Sequence, residues 1–180
     1  MKRTACSELN NVISKKVRVD FGCYANNRRF KLLLDGFRNP TSIKLRDTKL
    51  NRDATNAFGI DIDNAQLMTK KFTSWVFTEK KLHPDTLLAV QVGEFYEFWG
   101  IDALMCIEFG GLRAMGRDPQ MRAGTPLASI QILLDSLVSK GLTIRVYDEL
   151  CNDVSAIKKG KQRELTQVVC RSNPIFFSRL

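Results

Sequence analysis

One histidine in 180 residues leaves little room for chemistry that needs a partnered base. That residue, His83, precedes Pro84, where a helix has to stop, so a structural role is expected. The five cysteines (Cys6, Cys23, Cys106, Cys151 and Cys170) form no CxxC pair. That excludes a disulfide scaffold and a tetrahedral zinc site, and it reads as scattered thiols of a reducing compartment. No apolar run approaches the ~20 residues a spanning helix needs, so membrane insertion is not expected. There is no GxxxxGK[ST] loop and no GxGxxG after a strand; Lys159-Gly160-Lys161 lacks the upstream glycines. The carboxylate pairs Glu94/Glu97 and Asp148/Glu149 fall at strand ends, where solvated surface acids are commoner than acid–base dyads. The expectation is a chain that is not an enzyme and carries no cofactor or metal.

What is abundant is positive charge, and its placement is uneven. The formal net charge is +9. Residues 1–52 hold thirteen Lys or Arg against four Asp or Glu, a surplus of nine, while residues 53–180 hold fifteen of each sign. The basic third is also rich in Asn, and its best apolar stretch, residues 30–34, is short, so it reads poorly as a core. Two readings stay open: a solubilising extension, or an arm laid on phosphates, each of which releases counterions when neutralised. On the second reading Lys15, Lys16, Arg18, Arg28, Arg29, Lys31, Arg38, Lys44 and Arg46 are candidate nucleic-acid-binding residues. The first nineteen residues are also mildly like an organellar transit peptide, with five basic residues against Glu8 alone, and they contain no secretory apolar core. The expected division is a basic extension over 1–63 and a folded domain over 64–180.

Within the second part, Leu67, Met68, Phe72, Trp75 and Val76 recur at helical spacing and predict an amphipathic helix over 64–82. Residues 87–92 are a nearly continuous apolar run and predict a buried strand, ended by Gly93. Residues 101–109 predict a helix closed by Gly110-Gly111. Residues 112–125, with three arginines, two glycines and Pro119, read as a loop. Leu127, Ile130, Leu133, Leu134, Leu137 and Val138 give the clearest helical face, over 127–139. Strands are expected over 142–147 and 165–170, with a polar connection at 151–161. The order predicts an α/β fold with a small mixed sheet flanked by helices. The strings Phe58-Gly59-Ile60-Asp61 and Trp99-Gly100-Ile101-Asp102 are too short to count as a repeat and read as coincidence.

Residues 93–100 (Gly-Glu-Phe-Tyr-Glu-Phe-Trp-Gly) pack four aromatics and two acids into eight positions after the buried strand. Such aromatics could simply fill the core under the next helix. The longer run from His83-Pro84 through the apolar strand to Gly93-Glu94-Phe95-Tyr96-Glu97 resembles the start of the mismatch-recognition domain of MutS proteins. Ala123-Gly124-Thr125-Pro126 resembles that family's Ala-Gly-x-Pro step, with a helix and a strand after it. Gly100-Ile101-Asp102-Ala103 and Glu108-Phe109-Gly110-Gly111-Leu112 look most like the plant-type organellar MutS homologue. The resemblance implies a MutS domain I fold over about 64–180. It also implies that Phe95 would wedge beside a mispaired base in the minor groove and that Glu97 would accept a hydrogen bond from that base.

Residues 82–180 are electrically neutral, with eleven charges of each sign, and carry nothing like an ATPase, lever or clamp. The leading expectation from the sequence is therefore an accessory subunit of a large organellar assembly, most plausibly a mitochondrial ribosome. Its basic arm would lie on rRNA or thread between neighbouring proteins. The first alternative is a DNA-binding module for mismatched or distorted organellar DNA, acting through Phe95 and Glu97. The second is a structural subunit held by protein contacts in another organellar complex. The organelle would be a mitochondrion rather than a plastid.

Overall fold

Two asparagines start the first two helices. The computed structural model describes residues 27–51, 53–54, 56–60, 71–116, 121–150 and 162–177. Helix α1 (Arg28–Asp35) begins at Asn27, whose side-chain oxygen accepts from the Phe30 amide at 3.2 Å. Helix α2 (Pro40–Lys49) begins at Asn39, which accepts from Thr41 N at 2.9 Å, with Pro40 at the position that needs no amide proton. α3 (Lys71–Leu82) stops before His83-Pro84. β1 (Leu87–Val92) turns through Gly93, at φ +60°, into β2 (Phe95–Trp99). α4 (Gly100–Gly110) follows at once and is closed by Gly111 in the left-handed region. Then come β3 (Ala114–Met115), β4 (Arg122–Pro126), a 3-10 turn (Leu127–Ser129), α5 (Ile130–Ser139), β5 (Ile144–Glu149) and β6 (Arg163–Val169).

The six strands form one mixed sheet in the order β3-β4-β2-β1-β5-β6. Only β1 and β5 run parallel; the other neighbours are antiparallel. The predicted α/β class and mixed sheet are therefore present. β2, β3 and β4 come from segments whose sequence shows no strand alternation, and the predicted 127–139 helix starts as a 3-10 turn. The predicted helix over 64–82 is described from Lys71 onward; its earlier residues lie outside the described residues.

Register sets the two faces. Phe95, Glu97 and Trp99 share one face with Val92 and Val90 and with Pro126, Gly124 and Arg122, and Tyr96 and Phe98 point the other way. α3 covers the first face through Phe72 against Trp99 (ring centroids 5.7 Å apart) and Trp75 against Tyr147 (5.3 Å). On the other face Tyr96 meets Phe176 of the C-terminal tail.

The expected basic extension over 1–63 does contribute to the core, contrary to its reading from sequence. Phe30, Leu34, Phe37, Phe58 and Ile60 are buried in the same hydrophobic cluster as β1 and α4. Each large side chain so buried stabilises by about 1.5–3 kcal/mol. α2 docks on α4 through Glu108, whose carboxylate accepts from the amide of Asn39 at 3.0 Å and from the amide of Arg38 and the Ser42 hydroxyl. The Asn39 amide, at the N-cap, is one that the start of a helix leaves without an internal partner. Residues 1–26 of the expected arm lie outside the described residues.

Beneath these helices sits a fully buried ion pair. The Lys80 ammonium donates to Asp102 Oδ1 at 2.6 Å and to the Thr86 carbonyl at 2.7 Å. Asp102 Oδ2 accepts from the Leu88 amide at 3.0 Å. Lys80 also lies over the rings of Phe30 and Phe58, 5.2 and 5.8 Å from their centroids. Burial pushes Lys80 down and Asp102 up, and each partner's charge opposes the shift of the other.

Gly100 ties the same region to the sheet. Its φ is +53°, and a Cβ there would come within 2.7 Å of the Phe58 carbonyl oxygen. That carbonyl accepts from the Ile101 amide at 3.1 Å, and Gly59 also has a positive φ of 63°. Each of the two similar strings thus carries a glycine at positive φ, and Phe58 of the first touches Gly100 and Ile101 of the second.

Two outcomes follow for stability. Lys80→Met strands the Asp102 carboxylate and should cost about 3–5 kcal/mol in chemical denaturation at neutral pH. Without Lys80, burial acts on Asp102 against the Leu88 amide alone and outweighs it, so the folded state binds its proton more tightly than the unfolded chain does. Stability of the variant then rises as pH falls towards the carboxylate range, and its deficit relative to wild type shrinks. A deficit that stays constant or grows on acidification would show that Asp102 is not the stranded group. Gly100→Ala should lose about 1–3 kcal/mol from the close approach to Phe58 alone, seen as a lowered Tm.

Candidate nucleic-acid interface

Phe95 opens β2 at the tip of the β1–β2 hairpin. Gly93 makes the turn; its amide donates to Glu149 Oε1 at 3.3 Å and its carbonyl accepts from Gln91 Nε2 at 3.2 Å. The Leu127 amide donates to the Glu94 carbonyl at 3.1 Å, so the tip is held from both flanking strands. Within this frame Phe95 is 39% exposed, paired with Val92 on one side and Pro126 on the other. A ring on a braced, partly exposed strand end is a rigid projection.

Glu97 lies two residues along on the same face, but it is 8% exposed. Its Oε2 accepts from an Arg122 terminal nitrogen at 3.0 Å. Arg163 reaches across from β6: its Nε donates to the Gln91 carbonyl at 2.7 Å, its guanidinium pairs with Glu149, and it stacks 4.2 Å from the Phe72 ring centroid. Burial pushes the Arg163 guanidinium down, while Glu149 and, at longer range, Glu97 push it back up. Charges therefore alternate across this face as Arg122, Glu97, Arg163 and Glu149.

The expectation of solvated acids at the strand ends holds only for Glu94, which is exposed. Glu97 is in the ion pair just described. Asp148 is buried and accepts from the Tyr96 hydroxyl at 2.6 Å, and burial followed by that carboxylate pushes the Tyr96 phenol upward. Glu149 is engaged by Arg163. None of these four groups forms an acid–base dyad poised at a cleft. His83 is half-buried; burial and Arg145 lower its pKa against Glu79. Cys106 and Cys170 are free thiols, the first fully buried. Among the described residues no group of three His, Cys, Asp or Glu could hold a metal ion, and no helix is long and apolar enough to cross a membrane.

The basic candidates fall elsewhere. Arg28, Arg29 and Lys31 are exposed on α1, Arg38 is exposed before α2, and Lys44 is exposed on α2. α1 begins beside Asp85, to which Asn27 donates at 2.5 Å, and Arg29 lies over Gly141. Those points precede β1 and β5, whereas Phe95 follows the far end of β1, about 20 Å away for a six-residue strand. The start of α1 and the hairpin tip therefore do not form one patch. Arg46 is a structural tie: it donates to the Leu34 carbonyl at 2.9 Å and pairs with Asp47 at 2.8 Å. Lys15, Lys16 and Arg18 lie outside the described residues. Arg122 and Arg163 escaped the sequence reading, although Arg122 stands immediately before the Ala-Gly-Thr-Pro step.

Comparison with known proteins agrees with this geometry. The family model described as MutS domain I matches residues 70–177. The chain is 29% identical over 126 residues to the mitochondrial DNA mismatch repair protein MSH1 of Arabidopsis thaliana, covering 67% of this chain and 11% of that protein. It is 33% identical over 99 residues to the DNA mismatch repair protein MutS of Parabacteroides distasonis, covering 52% and 11%. It is 35% identical over 95 residues to the MutS of Flavobacterium johnsoniae, covering 50% and 11%. The chain thus spans about a tenth of the length of these relatives.

These findings overturn the ribosomal reading. A ribosomal, rRNA-binding ribonucleoprotein subunit was inferred from the charge of the first third, yet the folded part is matched by DNA mismatch repair proteins. Part of the inferred cationic arm is moreover packed into the core and tied down, as Phe30 and Arg46 show. From the hairpin motif, the sheet that braces it and a family match spanning well over half of its length, the chain belongs to the MutS domain I family.

Proposed function

We propose that the chain is a non-catalytic DNA-binding module that engages mismatched or distorted duplex, with Phe95 as the stacking wedge and Glu97 as the acceptor beside it. The observation that carries this reading is Phe95 itself, an aromatic ring left partly in water on a hairpin tip that neighbouring strands hold still. A flat ring can replace the stacking that a base step loses, and the exchange is cheapest where pairing is already broken. Selectivity for a mismatch then needs no complete set of base contacts. The name of the Arabidopsis relative supports an organellar, mitochondrial setting for the same activity.

The test compares a mismatched and a matched oligonucleotide duplex by fluorescence anisotropy, with wild type and Phe95→Ala. Base–aromatic stacking is worth about 1–3 kcal/mol, so Phe95→Ala should weaken binding to the mismatch by roughly tenfold and leave the matched duplex nearly unchanged. Because Phe95 is partly exposed, the variant's Tm should stay close to wild type. Equal affinity in all four combinations would sink the reading.

A further inference from the structure

The wedge face carries a residue with a role of its own. The geometry points to Arg122 as the positioning partner of Glu97 at the duplex, an inference that rests on the DNA-binding reading above. A lone carboxylate on a surface that approaches phosphates is repelled by them, yet Glu97 stands two residues from the wedge on the same face. Arg122 resolves the conflict. It holds Oε2 at 3.0 Å, and no hydrogen bond to Oε1 is made among the described residues. One carboxylate oxygen is thereby fixed and the other is left to accept from a ligand. The pair as a whole is neutral, so the strand meets the DNA backbone without net repulsion.

The setting of Arg122 is built for that task. It enters from β4, directly opposite Trp99 in the register and diagonal to Glu97. Its Nε is buried and has no acceptor among the described residues. Its side chain is still 33% exposed, so part of a five-donor guanidinium faces outward beside Glu97. Gly116 leaves the room it needs, since a Cβ there would stand 3.1 Å from an Arg122 nitrogen. Arg163, the other arginine near Glu97, is committed to Glu149 and to Phe72, which leaves Arg122 as the adjustable member.

The experiment measures affinity for mismatched and matched duplexes with wild type, Arg122→Met, Glu97→Gln, the double variant and Phe95→Ala, at two salt concentrations. Arg122→Met should lose about three- to tenfold on both duplexes, because Glu97 then faces phosphate uncompensated. Adding Glu97→Gln to it should restore most of that loss, an effect that a merely structural role for Arg122 would not produce. The salt slope of Arg122→Met should differ from wild type, and melting curves of the variants separate binding loss from unfolding. If wild type prefers the mismatch through Phe95 but Arg122→Met binds like wild type, or Glu97→Gln fails to rescue it, the Arg122 inference alone is overturned. If wild type shows no preference and Phe95→Ala changes nothing, the underlying reading falls and this inference falls with it.

Discussion

The fold depends on keeping one ammonium and one carboxylate out of water together. Lys80 comes from α3 and Asp102 from the first turn of α4, and the remaining bonds of the pair go to the Leu88 amide and the Thr86 carbonyl around the start of β1. Phe30 and Phe58 cover the ammonium. A buried pair of this kind gains little net free energy over an apolar substitute, because both ions were well solvated before folding. Its effect is on uniqueness. Every segment that contributes an atom must be in register at once, because a shift in any of them leaves a charge or a buried amide without a partner. α3 is thereby set over one face of the sheet, and Phe72 and Trp75 reach Trp99 and Tyr147 from there.

That placement governs the hairpin tip at the other end of β2. Gly100 fixes the last residue of the strand against Phe58, and the Leu127–Glu94 bond fixes the first. With both ends held, the alternation of the strand decides the rest. Phe95 and Glu97 must share a face, and Tyr96 must turn inward to Asp148. The alternating charges across that face follow from the same register, since Arg122 sits on the neighbouring strand and Arg163 crosses from the far edge.

How much of this was legible follows from where the partners lie. The helices around Leu133-Leu134-Leu137 and Leu104-Ile107 show in the sequence because their apolar residues recur within a turn or two. β2 does not show, since four aromatics in five positions, on both sides of Glu97, hide any alternation. β4 does not show either, because Gly124 and Pro126 look like loop residues, and only the structure reveals that Gly124 makes space for Met115. Phe30, Leu34 and Phe37 fall at helical spacing, but the basic residues and asparagines around them hide their part in a core whose other half begins at Val76, and Phe58 and Ile60 stand apart from them in the sequence. The wedge motif was readable by resemblance, but the burial of Glu97 was not, because its partner is 25 residues further on. The charge of the first third, beside the lack of an ATPase, lever or clamp, points to rRNA, and it misleads because a count of arginines cannot tell a phosphate ligand from Arg46, which braces one helix against another.

The aromatic cover over Lys80 bears on anyone wishing to graft this MutS domain I fold onto another scaffold. Trimming the chain to the stretch matched by the family model, from residue 70 on, would remove Phe30 and Phe58. The ammonium would then be opened to solvent from above while its counterion stayed sealed below. The portable unit therefore includes residues 27–60, and a transplant that omits them has to supply its own apolar roof.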